Sequence, residues 1–74
     1  MKTTFRGKDL ILPKPIVPKV GQVWCTLITN DYFIIEEIPN NGKVLIVYEH
    51  GLKEYCNYVM FTSPRIRYIG YIKK

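Results

Sequence analysis

Lys43-Val44-Leu45-Ile46-Val47-Tyr48-Glu49-His50-Gly51 decides the fold. It is the densest β-forming run in the chain. Val44, Ile46 and Tyr48 point one way, and Leu45, Val47 and Glu49 point the other. Apolar residues on both faces imply a central strand covered on both sides. Asn40-Asn41-Gly42 precedes the run, and Asn-Gly before a β-branched stretch predicts a type I′ hairpin turn. His50-Gly51 ends it.

Working outward, four more segments read as strands. Val20 to Ile28 alternates, with Val23, Cys25 and Leu27 on one face and Gln22, Trp24, Thr26 and Ile28 on the other. Thr29-Asn30-Asp31 is a turn, because Asn and Asp tolerate the left-handed region. Tyr32 to Ile38 follows, and Pro39 stops it. Glu54 to Tyr58, after the opening run, is the fourth strand in chain order. Asn57-Tyr58-Val59-Met60-Phe61 can instead tighten into one helical turn. Thr62-Ser63-Pro64 is a loop. Arg65 to Ile72 is the last strand, and Gly70 inside it marks a bulge or tight bend. No helix of useful length is predicted. The expected fold is all-β, a small five- or six-stranded barrel spanning residues 20–74, since closure hides edges that a small sheet otherwise exposes. Residues 1–19 form an N-terminal extension. Leu10-Ile11-Leu12 suits a short edge strand. Pro13, Pro15 and Pro18 then hold the chain extended, as a strap over the barrel or as a proline-rich ligand.

The 74 residues make one small domain with a marginal core. No staple is evident. Cys25 and Cys56 are the only cysteines and His50 the only histidine, so paired zinc-ligand spacing is absent and no metal or cofactor is expected. The two cysteines are read as buried thiols, or as neighbours across a barrel. The N-terminus lacks a signal-peptide core, and no apolar run reaches membrane length, so a cytoplasmic location is expected, in a cell or an infected host.

Charge is divided unevenly along a chain of net +5. The first nineteen residues carry Lys2, Arg6, Lys8, Lys14 and Lys19 against Asp9. The last eleven carry Arg65, Arg67, Lys73 and Lys74. Between them Asp31, Glu36, Glu37, Glu49 and Glu54 outweigh Lys43 and Lys53. The body is acidic and the ends are basic, so an anionic partner would be met by the ends.

Val20-Gly21-Gln22-Val23-Trp24, Asp31-Tyr32-Phe33-Ile34-Ile35, the Lys43–Tyr48 run with Gly51 after it, Tyr55 and Phe61 together resemble the Tudor and Src-homology-3-type small barrels. The resemblance covers about residues 20–64 and implies their fold. Tudor domains hold methylated Lys or Arg in an aromatic cage. By that resemblance Tyr32 or Phe33, and Tyr48, occupy cage-like positions. Glu49-His50-Gly51 lacks the cage's second aromatic, Leu52 stands where an Asn often closes it, and Trp24 lies early for its wall. By size and composition the chain is also similar to short phage-encoded accessory proteins.

Catalysis is not expected. His50 sits beside Glu49 in a tight turn, and Glu36 and Glu37 point to opposite faces of one strand. A non-catalytic binding module is the leading expectation, an accessory protein acting on a partner or host protein as an inhibitor or anti-defence factor. The first candidate face is Arg65, Arg67, Tyr68, Tyr71, Lys73 and Lys74, with Arg65, Arg67 and Tyr71 on one side of the last strand. Trp24, Tyr32, Tyr48 and Tyr55 are candidate surface aromatics. The same basic and aromatic strand suits nucleic acid as an alternative, because single-strand binders interleave cations with stacking rings. A Tudor-like reader of a methylated side chain is the second alternative. The last strand also suits β-augmentation or a homodimer through its edge.

Overall fold

The computed structural model describes residues 4–11, 17–39 and 41–72. Expectations for Leu12 to Ile16, for Asn40, and for Lys73 and Lys74 fall outside the described residues. Among the described residues there are seven strands and one 3-10 turn: β1 Thr4–Phe5, β2 Lys8–Asp9, β3 Gln22–Thr26, β4 Tyr32–Glu37, β5 Lys43–Tyr48, β6 Lys53–Asn57, the 3-10 turn Tyr58–Thr62, and β7 Ile66–Tyr71. The fold is all-β. β3 to β7 form one antiparallel sheet in the order β6-β5-β4-β3-β7, with β6 and β7 as its outer strands.

Register explains the two faces. Trp24 pairs with Phe33 and Tyr68, Phe33 with Tyr48, Ile35 with Ile46, and Val44 with Cys56. Paired residues share a face, so these side chains build one core. Trp24, Phe33, Ile35, Val44, Ile46 and Phe61 are buried together there, with Cys56, Met60, Ile66 and Tyr68 packed against them. Phe61 comes from the 3-10 turn. Its ring lies 4.9 Å from Trp24 and 6.2 Å from Phe33, both edge-on. The turn thus adds its one buried ring to the core on this face of the sheet.

The opposite face carries Val23, Cys25, Leu45 and Val47, all buried. The N-terminal arm covers part of it. A Cβ built on Gly70 would stand 2.8 Å from the Ile11 oxygen and 3.2 Å from the Leu10 Cβ. Gly70 pairs with Val23, so Leu10 and Ile11 press against the outer strand β7 where it lies beside Val23. Ile11 and Tyr71 exchange both backbone hydrogen bonds, at 2.8 and 3.1 Å. Phe5 is only 1% exposed, which two dipeptide strands cannot achieve alone. The arm is therefore docked on the body, though Val17 is exposed.

Two local expectations need correction. The β4–β5 connection is not a two-residue type I′ turn. β4 stops at Glu37, before Pro39, which has no N–H for a ladder, β5 begins only at Lys43, and Asn41 is not in the left-handed region. Asn41 helps through its side chain, whose Oδ1 accepts from Lys43 N–H at 3.0 Å. A two-residue turn with both central residues in the left-handed region does occur, at Arg6 (φ 51°) and Gly7 (φ 80°), joining β1 to β2. Second, a register shift opposite Val23–Trp24 inserts Ile69 as an extra residue in β7. Tyr71 consequently pairs with Gln22 and joins the face of Tyr68, leaving Arg67 opposite Cys25 on the other.

Candidate functional site

The expected β7 surface is divided by that bulge. Arg65 and Arg67 are exposed, as a solvated strand end allows. Tyr68 is not a stacking platform. Its ring meets Trp24 edge-on at 5.4 Å, and burial pushes its phenol above the ordinary value. Tyr71 is half-buried beside Ile11. The four proposed surface aromatics also separate. Trp24 is 4% exposed and belongs to the core, because its side shares the face of Phe33 and Ile46. Its indole N–H is satisfied by Gln22 Oε1 at 3.2 Å. Phe33 is fully buried, so of the two candidate cage positions only Tyr32 reaches the surface. Tyr55 is 64% exposed on the outer strand β6.

Tyr32 and Tyr48 lead to a different place. The β3–β4 turn is closed by Asn30 N–H to Thr26 oxygen at 2.8 Å and Thr26 N–H to Asp31 oxygen at 2.9 Å. Asn30 takes the left-handed region expected of it, at φ 61°. The β5–β6 turn is closed by Gly51 N–H to Tyr48 oxygen at 2.9 Å and Tyr48 N–H to Leu52 oxygen at 2.8 Å. Gly51 sits at φ 102°, as a three-residue hairpin loop of this kind requires. The Phe33–Tyr48 register sets these turns side by side, and Glu49 N–H donates to Tyr32 oxygen at 3.0 Å.

Between the two turns lies a shallow, open hollow of about 280 Å³, lined by Asn30, Asp31, Tyr32, Glu49 and His50. The His50 ring stacks parallel on Tyr48, 5.4 Å between centres. The lining brings together two carboxylates, a phenol, an amide and an imidazole, without a Lys or Arg. Burial pushes the Tyr48 phenol up, and the Glu54 and Asp31 carboxylates add to it. Asp31, Glu49 and His50 are the residues that sequence reasoning left as turn material. The signal was there, since an Asn-Asp turn before Tyr32 and a Glu-His-Gly turn after Tyr48 must meet once Phe33 pairs with Tyr48.

Cys25 and Cys56 are free thiols on opposite faces of the sheet, with β4 and β5 between their strands. Burial pushes both thiols up, which favours the unreactive protonated form. Among the described residues, no three His, Cys, Asp or Glu side chains group as metal ligands, and no helix is long and apolar enough to cross a membrane. A scan of protein-family models, a search of curated proteins and a search of solved structures each return no match to this chain.

Proposed function

We propose that the protein is a non-catalytic binding module that takes a positively charged side chain of a partner protein into the hollow between the β3–β4 and β5–β6 turns. The observation that carries this reading is the joining of Asp31 and Glu49 with the rings of Tyr32 and His50 around one concavity. A cation there meets both charge and π density. The finer fold in this reading is a small barrel of Src-homology-3 or Tudor type. The support is that β7, the last strand, pairs beside β3, the first of the five-stranded sheet, and that the 3-10 turn adds Phe61 to the core. A methylated lysine or arginine is then the finer ligand, with His50 on Tyr48 in place of the missing second aromatic. An accessory role, acting by occupying a partner, fits a module whose described hollow is open and shallow.

The rival reading is nucleic acid on Arg65 and Arg67. Tyr68 and Tyr71 turn away from Arg67, and the acidic hollow would repel phosphate, so the geometry favours the protein partner. Binding measurements with peptides carrying lysine or trimethyl-lysine, and with single- and double-stranded oligonucleotides, separate the two. The expected result is peptide binding that Asp31→Asn with Glu49→Gln removes and Arg65→Ala with Arg67→Ala leaves intact. Oligonucleotide binding that falls steeply from about 50 to about 200 mM salt, and disappears with the arginine variant, would overturn the reading.

A further inference from the structure

Three aliphatic side chains stand in water at the end of the sheet that bears the hollow. Leu27 is 52% exposed, Ile28 71% and Leu52 54%. Hairpin tips favour Gly, Asn, Asp and Pro for backbone reasons. The β3–β4 turn draws its side-chain hydrogen bonds from Thr26 and Thr29 and its left-handed residue from Asn30, so nothing in its geometry asks for Leu27 or Ile28.

Backbone hydrogen bonds fix the order across this end. Leu27 N–H donates to Arg65 oxygen, Glu49 N–H to Tyr32 oxygen, and Tyr48 N–H to Leu52 oxygen. Arg65 therefore comes first, then Leu27 and Ile28, then the hollow, then Leu52. Aliphatic groups bracket an acidic, aromatic depression. A nucleic acid or an anionic lipid surface would set its phosphates against Asp31. An unmodified apolar segment would leave the Asp31 carboxylate facing carbon.

We propose that this end binds an extended protein segment in which a lysine or arginine is flanked by aliphatic residues. The cation enters the hollow, and its neighbours cover Leu27 and Ile28 on one side and Leu52 on the other. This assignment rests on the hollow being a cation site. Arg65, beyond Leu27, then favours an acidic residue further along the same segment.

Short fluorescent peptides with one central lysine test it by anisotropy against the full chain. One peptide flanks the lysine with Leu and Ile, a second with Gly, and a third keeps Leu and Ile but replaces lysine with glutamate. The aliphatic lysine peptide should bind about tenfold or more tightly than the glycine one, since burying one aliphatic side chain is worth at least that factor. Ile28→Ser with Leu52→Ser should erase this advantage without lowering the melting temperature, because both residues lie outside the core. Equal binding of the two lysine peptides would overturn the aliphatic rim and leave the cation site standing. Equal binding of the lysine and glutamate peptides, or none by either lysine peptide, would overturn the cation site itself.

Discussion

Gly70 has no room for a side chain, and its neighbours show what the arm does. Alanine there would drive its Cβ against the Ile11 carbonyl, a backbone atom that cannot swing aside. Gly70→Ala should cost about 1–3 kcal/mol. Hydrogen exchange should show Ile11 and Tyr71 amides losing protection before the β4–β5 amides; equal loss throughout would mean the arm is not separately docked. The sequence marked Gly70 as a bulge or bend, but the identity of the crossing chain was invisible, because Leu10 and Ile11 are distant in sequence and nothing in their pattern names a target. Tyr48, Tyr68, Cys25 and Cys56 make a pH prediction. Burial raises all four, so the folded chain holds these protons more tightly than the unfolded one. Stability is whole below the ordinary thiol and phenol values, about 8.5 and 10, and falls as pH rises through the higher folded values. Melting temperature should drop above about pH 9, and Tyr68→Phe should lessen the drop near pH 10 and above. A flat profile would contradict the burial of these groups.

At the scale of elements, the 3-10 turn Tyr58–Thr62 contributes most for its length. Phe61 is buried and meets both Trp24 and Phe33 edge-on. Phe61→Ala should cost about 3–5 kcal/mol, most of the stability of a domain this small. Loss of dispersed amide signals at ambient temperature would report it, and a fully folded variant would show that the core closes without the turn. The β1–β2 hairpin gives a milder case. Arg6 occupies the left-handed region, where a non-glycine residue is strained and Asn is tolerated better. Arg6→Asn should raise stability by about 0.5 kcal/mol, read as a small rise in melting temperature. Five strands and the helical turn were legible because each is an alternating or β-branched run between turn residues. The hairpin at Arg6 was not, because Thr4–Phe5 and Lys8–Asp9 are too short to alternate. The Asn-Gly corner misled for the opposite reason. Its dipeptide is a strong local signal, but Pro39 had already lengthened the loop.

Taken whole, the molecule sets its described hollow at one end of the sheet, between the β3–β4 and β5–β6 turns. Tyr32 and Tyr48 were readable as surface aromatics, but the hollow depends on register and on two turns meeting, which no single segment encodes. Arg67 and Tyr71 do not share a face of β7 because one inserted residue, Ile69, reverses every side chain after it. That end should dominate binding, with Arg65 and Arg67 adding little. Chemical-shift mapping on the isotope-labelled chain, titrated with the aliphatic lysine peptide, tests this most directly. The account predicts shifts concentrated in Leu27–Tyr32 and Tyr48–Leu52, and absent when Asp31→Asn and Glu49→Gln are combined. Shifts confined to Arg65–Tyr71, or unchanged by that double substitution, would contradict it.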